Sequence, residues 1–200
     1  MSVKLIRITP DYARVIEYAS RQSTHSKCRE GESEDFVRRI VKRKHLSLGR
    51  FVNVEFEVTS SRCSLQQWAR HKFLEFCVQS QRYVNQKDNK FILPELNYIN
   101  EENRKIILQK MRAEVLRSKE VYVELLELGV KKEDARYCLP EAIQTQFSVI
   151  SNLQGWTNFL LLRLDKHAQT EIRKSAEEIK VILLKECPAW FEEIFREELL

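Results

Sequence analysis

Apolar and polar residues alternate along two short segments of the chain, and this alternation predicts β-strands. The first segment runs from Val3 to Ile8, and the second runs from Phe51 to Val58, where β-branched and aromatic residues are frequent. Residues 72–83 are predicted to be loop and strand, and residues 141–151 form a further separate segment. The pattern therefore predicts few strands, enough for one small antiparallel sheet.

Longer segments repeat apolar residues at the three- and four-residue spacing of an amphipathic helix. Gly129 is expected to end the longest of them in the left-handed conformation. Only four glycines and four prolines occur, so long flexible linkers are not expected. We therefore predict one helix-rich α+β domain over residues 1–200. The predicted helices are residues 11–22, 33–44, 64–70 with Ser64 as the cap, 101–128, 132–140 and 165–186.

Charge and hydropathy restrict the partners of this chain. The formal net charge of +5 is mild and suits either an anionic small ligand or a nucleic acid. The aromatic residues are dispersed and do not alternate with basic runs, which argues against nucleic-acid binding. No apolar run approaches the roughly 20 residues that cross a bilayer, and the first residues lack the pattern of a signal peptide. We therefore expect a cytoplasmic protein without a membrane partner.

The residue types that hold metals or nucleotide phosphates show no recognisable spacing. The five cysteines are scattered and contain no CxxC pair, which argues against a disulfide framework and a zinc ribbon. The four histidines show no HExxH spacing, and the glycines form neither GxGxxG nor GxxxxGK[ST]. We therefore predict no metal site and neither a Rossmann nor a P-loop nucleotide site.

Two distant segments, residues 70–83 and 152–173, place cationic and hydrogen-bonding side chains among apolar residues. Arg163 lies within a leucine-rich run, and a buried guanidinium needs a partner. Its planar fork suits a phosphate, a carboxylate or the carbonyl edge of a pyrimidine. The two segments together suggest a pocket for a small, flat, phosphorylated molecule. The alternative is a structural salt bridge from Arg163 to an internal acid such as Asp165 or Glu171.

The other candidate side chains also have two interpretations. Arg70 and Arg82 flank a short segment with Ser80 that could fold over a phosphate, or they could belong to a basic surface loop. Arg136 lies near a helix end, where it could bind the ligand or interact with the helix dipole. His71 could be a general base, a ligand or a packed histidine of the core.

These segments resemble the flavin-dependent thymidylate synthase (ThyX) family. The first signature of the family is RHR, then seven variable residues, then serine. It is similar to Arg70-His71-Lys72, which is followed after seven residues by Ser80-Gln81-Arg82-Tyr83. Its ARxxLP and NLRxxxxFxxLRxxxxAQxEIR segments are similar to residues 134–140 and 152–173. The first strand and His45-Leu46-Ser47 also occur in the family's order, so the resemblance extends over nearly the whole chain.

The resemblance implies that the chain makes dTMP from dUMP. The family takes a methylene group from 5,10-methylenetetrahydrofolate and reducing equivalents from NADPH through FAD, in homotetramers whose active sites combine several subunits. Arg163 and Arg82 would have the catalytic role of stabilising negative charge on the pyrimidine. The dUMP-binding positions are Gln67, Arg70, Ser80, Gln81, Arg82, Arg136 and Arg163. The FAD-binding positions are Ser47, His71, Lys72, Asn152, Asn158 and Leu162, and His45 and His167 match histidines on the flavin and folate side.

Several residues depart from the family pattern on the cofactor side. Lys72 replaces the third arginine of RHR, Cys77 and Val78 replace the usual asparagine and acid, and Gln154 replaces the arginine of NLR, a position associated with the flavin phosphates. Residues 48–51, LGRF, stand where the family has PxEH. The alternatives are a diverged paralogue that forms another 5-substituted pyrimidine nucleotide, such as the hydroxymethyl derivative, or a non-catalytic nucleotide-binding relative.

Overall fold

A computed structural model describes residues 1–196, which form the predicted helix-rich α+β fold around a small antiparallel sheet. The strands are β1 (Ser2–Ile8), β2 (Asn53–Ser61), β3 (Glu75–Val78) and β4 (Gln144–Asn152). The helices are α1 (Tyr12–Gln22), α2 (Ser33–Lys42), α3 (Arg62–Trp68), α4 (Glu101–Glu127), α5 (Lys132–Ala135), α6 (Leu153–Arg163), α7 (Thr170–Glu186) and α8 (Pro188–Arg196). Two 3-10 helices cover Leu46–Phe51 and Arg136–Cys138.

The four strands are hydrogen-bonded in the order β1-β2-β4-β3, and every pair is antiparallel. Alternation along β2 buries Val54, Phe56 and Val58 on the face that packs against the helices. β2 and β4 pair along their whole length, so the sheet places the start of α3 beside the start of β4. The same pairing places the start of α6 beside the 3-10 helix Leu46–Phe51, because Leu153 N donates to Val52 O at 3.0 Å.

Three tryptophans, Trp68, Trp156 and Trp190, are fully buried and connect the helices to the sheet. The indole Nε1 of Trp156 donates to Val54 O at 3.0 Å, and that of Trp190 donates to Thr157 Oγ1 at 3.0 Å. A buried indole N–H that has an acceptor avoids the free-energy cost of an unsatisfied donor. α6 is therefore fixed to β2 on one side and to α8 on the other.

The long helix α4 contributes little to this core. Asn100 caps it by accepting from Asn103 N at 2.9 Å, and Gly129 follows it with a φ of 88°, as predicted. Among its 27 residues only Val115 and Tyr122 are buried. No helix within residues 1–196 combines the length and the apolar content that crossing a bilayer needs.

The segment before β2 differs from the prediction. The predicted strand from Phe51 is wrong at its start, because Phe51 ends a 3-10 helix and β2 begins at Asn53. A Cβ on Gly49 would lie 2.6 Å from the Trp190 ring, so the chain passes closer to α8 here than a residue with a side chain allows. The prediction that Ser64 caps α3 is also wrong, since Ser61 Oγ accepts from Ser64 N at 3.0 Å and α3 ends at Trp68.

The C-terminal third differs in its helix boundaries. The predicted helix from Asp165 begins at Thr170, and helix α6, which was not predicted, ends at Arg163. A turn separates them, in which His167 N donates to Asp165 Oδ1 at 2.7 Å. α8 was not predicted, because Pro188 indicates a helix end but here is the first residue of a new helix.

Candidate functional site

The ends of α3 and α6 bring together four of the predicted site residues, which we term the Arg163 cluster: Gln67, Arg70, His71 and Arg163. Arg163 Nε donates to His71 Nε2 at 2.8 Å, and its Nη2 donates to the main-chain oxygen of Gln67 at 3.0 Å. Burial lowers the pKa of the Arg163 guanidinium, and the nearby charge of Arg70 lowers it further. Residues from the two distant sequence segments therefore meet at one place.

His71 in this cluster is a neutral hydrogen-bond acceptor. Its ring packs edge-on against Phe159 with 4.9 Å between centroids, and burial, with a smaller contribution from Arg163, lowers its pKa to about 4. Because Nε2 accepts from Arg163, the proton of the neutral ring is on Nδ1.

The salt bridges proposed as the alternative for Arg163 do not form. Asp165 accepts from His167 instead, and both carboxylate oxygens of Glu171 accept from the backbone and hydroxyl of Ser61, at 2.7 and 2.6 Å. Within residues 1–196 no acid pairs with Arg163, and its Nη1 makes no hydrogen bond. A half-buried guanidinium without a counter-charge is suited to an anionic or carbonyl-rich ligand.

A second group lies where the loop after β3 meets α5, and we term it the Glu133 cluster: Ser80, Gln81, Arg82, Glu133 and Arg136. Glu133 Oε2 accepts from Arg82 Nε at 3.2 Å, and the carbonyl of Glu133 accepts from Arg136 Nε at 3.1 Å. Arg82 N donates to Ser80 Oγ at 3.3 Å. A cavity of about 510 Å³ opens beside Arg82 and Glu133, within the size range of small-molecule sites.

The predicted dUMP residues are thus divided between the two clusters. Gln67, Arg70 and Arg163 belong to the first, and the other four belong to the second. In the described part of the chain, no side-chain hydrogen bond or ion pair connects one cluster with the other. Arg136 contacts a carbonyl at the end of α5, which is the interaction that its structural alternative proposed.

The predicted FAD residues lie around α6 and the 3-10 helix before β2. Asn152 caps α6 by accepting from Gly155 N at 2.9 Å, and Asn158 and Leu162 lie one turn apart on the same side of that helix. Ser47 lies in the 3-10 helix and is exposed. The remaining predicted cofactor-side residues, Lys72, His45 and His167, are exposed.

Sequence reasoning missed three interactions at these surfaces. Glu133 is the counter-ion of Arg82, and the Gln169 side chain accepts from the Gln67 amide. Arg50 Nε donates to Gln154 Oε1 at 2.6 Å. Each interaction joins residues more than fifty positions apart, which hydrophobic periodicity does not reveal. Within residues 1–196 no group of three His, Cys, Asp or Glu is arranged to hold a metal ion.

Comparison with known proteins identifies the family. Residues 4–189 match the family model described as thymidylate synthase complementing protein. The chain is 32% identical over 172 residues to the flavin-dependent thymidylate synthase of Thermosipho melanesiensis, covering 78% of this chain and 74% of the relative. It is 31% identical over 171 residues to that of Pyrococcus furiosus (84% and 70%), and 31% identical over 179 residues to that of Thermotoga neapolitana (88% and 82%). The chain therefore belongs to the thymidylate synthase complementing protein family.

Proposed function

We propose that this chain is the single-domain subunit of a cytoplasmic, homotetrameric flavin-dependent thymidylate synthase. It converts dUMP to dTMP with 5,10-methylenetetrahydrofolate as the carbon donor, NADPH as the reductant and FAD as the cofactor. The observation that carries the proposal is the state of Arg163. It is half-buried, held in orientation by His71 and Gln67, and not neutralised by an acid in residues 1–196.

The arginines have two tasks in this reaction. C5 of a pyrimidine is a weak nucleophile, and negative charge develops on the ring carbonyls as it attacks the methylene carbon. Arg163 and Arg82 stabilise that charge, which is the role of positioned cationic donors in a transition state. Arg70 and Arg136, with the hydroxyl and backbone of Ser80, hold the phosphate and so fix the ring in its reactive position.

His71 acts in this scheme through Arg163. At neutral pH its ring is uncharged, so it does not compete with Arg163 for the anionic substrate, and its Nε2 fixes the guanidinium plane. Since Nε2 is already an acceptor, His71 is a positioning residue and not the general base.

The residues around α6 suit a flavin dinucleotide. The hydroxyl of Ser47 and the amide of Asn158 can donate to phosphate and ring-carbonyl oxygens, and the exposed side chain of Leu162 offers an apolar contact. When bound, the flavin supplies the hydride chemistry. The residues that would hold it are Ser47, His71, Lys72, Asn152, Asn158 and Leu162, with His45 and His167 toward the folate.

The homotetramer explains the division of the dUMP residues. We infer that the Arg163 cluster of one subunit faces the Glu133 cluster of another, so that all seven residues surround one nucleotide. Helix α4 supports association, because it exposes apolar side chains that contact with another subunit would bury. These side chains include Ile106, Leu116 and Val121, which are 46%, 50% and 36% exposed.

The direct test is dUMP binding by Arg163→Ala, measured by isothermal titration calorimetry. Loss of a charge-assisted contact costs about 2 kcal/mol, so we expect affinity to fall about 30-fold and turnover to be abolished. Arg14→Ala, on the remote helix α1, removes the same charge and serves as the control. Equal dUMP affinity of Arg163→Ala and wild type would refute the assignment.

Subunit mixing tests the shared site. Arg82→Ala and Arg163→Ala are each expected to be inactive as homotetramers. Mixed tetramers contain some sites in which both arginines are intact, and we expect about a quarter of wild-type activity to return if subunits mix at random. No recovery, with exchange confirmed by native mass spectrometry, would place both clusters of one site in the same subunit.

Mass spectrometry of the reaction product distinguishes dTMP from a hydroxymethyl nucleotide.

A further inference from the structure

We propose that Arg50 binds the diphosphate of the FAD cofactor, and that it replaces the arginine which residue 154 lacks. The proposal rests on the flavin-dependent function proposed above and deepens it. The predicted cofactor residues do not include position 50.

The hydrogen bond to Gln154 fixes Arg50 but leaves its binding capacity free. Only Nε is used, at 2.6 Å from Gln154 Oε1, and that bond holds the plane of the guanidinium. In the described part of the chain no acid pairs with Arg50, and neither Nη atom has a hydrogen-bond partner. Its two Nη groups thus form an oriented, exposed fork of the kind that binds phosphate oxygens in a bidentate manner.

The backbone beneath Arg50 is rigidly placed. A Cβ on Gly49 would meet the Trp190 ring at 2.6 Å and Gln154 N at 3.1 Å, so the 3-10 helix lies directly against both α8 and the first turn of α6. The adjacent hydrogen bond from Leu153 to Val52 fastens the same contact. The backbone at Arg50 is therefore held in place and its Nε is bonded to Gln154, which lowers the entropy cost of binding a ligand.

The position favours a doubly charged anion. Arg50 lies at the start of the eleven-residue helix α6, where the helix dipole adds partial positive charge to that of the guanidinium. Two of the predicted FAD residues lie beside it, Ser47 in the same 3-10 helix and Asn152 as the cap of α6. Arg50 therefore lies on the same surface as two residues that the FAD assignment already uses.

The sequence supports a transfer of charge between two bonded positions. The pattern that this chain resembles has an acid at position 50, within PxEH, and an arginine at position 154, within NLR. Here the acid has become Arg50 and the arginine has become Gln154. One guanidinium is thus kept at the pair, but it comes from the opposite side of the same hydrogen bond.

The first experiment compares two probes on the purified chain by quenching of flavin fluorescence. For Arg50→Ala we expect FAD affinity to fall at least about tenfold, as for a lost charge-assisted contact, while affinity for riboflavin, which has no phosphate, is unchanged. Arg14→Ala is the matched control and should bind both probes like wild type. If Arg50→Ala does not fold, as judged by circular dichroism, Arg50→Gln provides the same comparison.

The second experiment returns the guanidinium from position 50 to position 154. Arg50→Glu should weaken FAD binding more than Arg50→Ala does, and the double variant Arg50→Glu with Gln154→Arg should recover at least half of the lost binding energy. Equal FAD affinity of wild type and Arg50→Ala, or an equal loss for riboflavin, would overturn the Arg50 proposal alone. A wild-type protein that binds no FAD would overturn the flavin-dependent function as well.

Discussion

Acidification should destabilise this protein through His71, by an amount that the site geometry sets. The folded state lowers the pKa of His71 from its ordinary 6.5 to about 4, first through burial and second through Arg163. Between these values the unfolded chain binds a proton that the folded chain does not. The contribution of neutral His71 to stability is therefore complete above pH 6.5 and is lost as the pH falls toward 4. The interval corresponds to roughly 3 kcal/mol at most.

The assay is urea denaturation of wild type and of His71→Asn at pH 7 and pH 4.5. Asparagine cannot be protonated, but its side-chain oxygen can still accept from Arg163. We expect the free energy of unfolding of wild type to fall by roughly 2–3 kcal/mol more than that of the variant over this range. Equal losses in the two proteins would show that His71 does not carry a lowered pKa.

Arg163→Gln separates the two causes of this pKa. Without the neighbouring charge the pKa of His71 should rise above 4, but it should stay below 6.5 because burial, the larger cause, remains. Titration of the His71 ring proton by NMR measures this directly. A full return to 6.5 would mean that burial contributes nothing, contrary to the packing against Phe159.

Three further substitutions test the surroundings of the site. Gly49→Ala forces a Cβ to within 2.6 Å of the Trp190 ring, so we expect a loss of about 1–3 kcal/mol in urea denaturation, and wild-type stability would contradict the close approach. Asn152→Ala removes the cap of α6 and should cost about 1 kcal/mol in the same assay, whereas Asn152→Ser should retain most of it. Glu133→Gln breaks an exposed ion pair and should change stability by less than about 1 kcal/mol. It should raise dUMP affinity in calorimetry, because Arg82 loses a competing carboxylate. Weaker dUMP binding would instead mean that Glu133 holds Arg82 in place for the ligand.

Local patterns were sufficient for the elements whose physical causes are local. Val54, Phe56 and Val58 alternate with polar residues because one face of β2 is buried, and this alternation predicted the strand. Gly129 predicted the end of α4 because its positive φ is a property of the residue itself. The start of β2 was mispredicted because the turn at Gly49 depends on Trp190, which is distant in sequence.

The candidate site shows the same limit. The paired signatures predicted that residues near Arg70 and Arg163 meet, and the folded chain brings them together. The signatures did not predict that Glu133 neutralises Arg82, nor that Arg50 bonds Gln154, because these contacts join elements whose relative placement follows from the packing of the whole core.

Trp190 has a consequence for the order in which the protein matures. It shapes the 3-10 helix at Gly49, and its indole bonds Thr157 of α6, yet it is added by the ribosome after both. A nascent chain that has emerged only as far as α7 already contains Gly49 and Thr157, but it lacks the Trp190 ring that both contact. The 3-10 helix and α6 can therefore reach their final packing only after α8 has been translated.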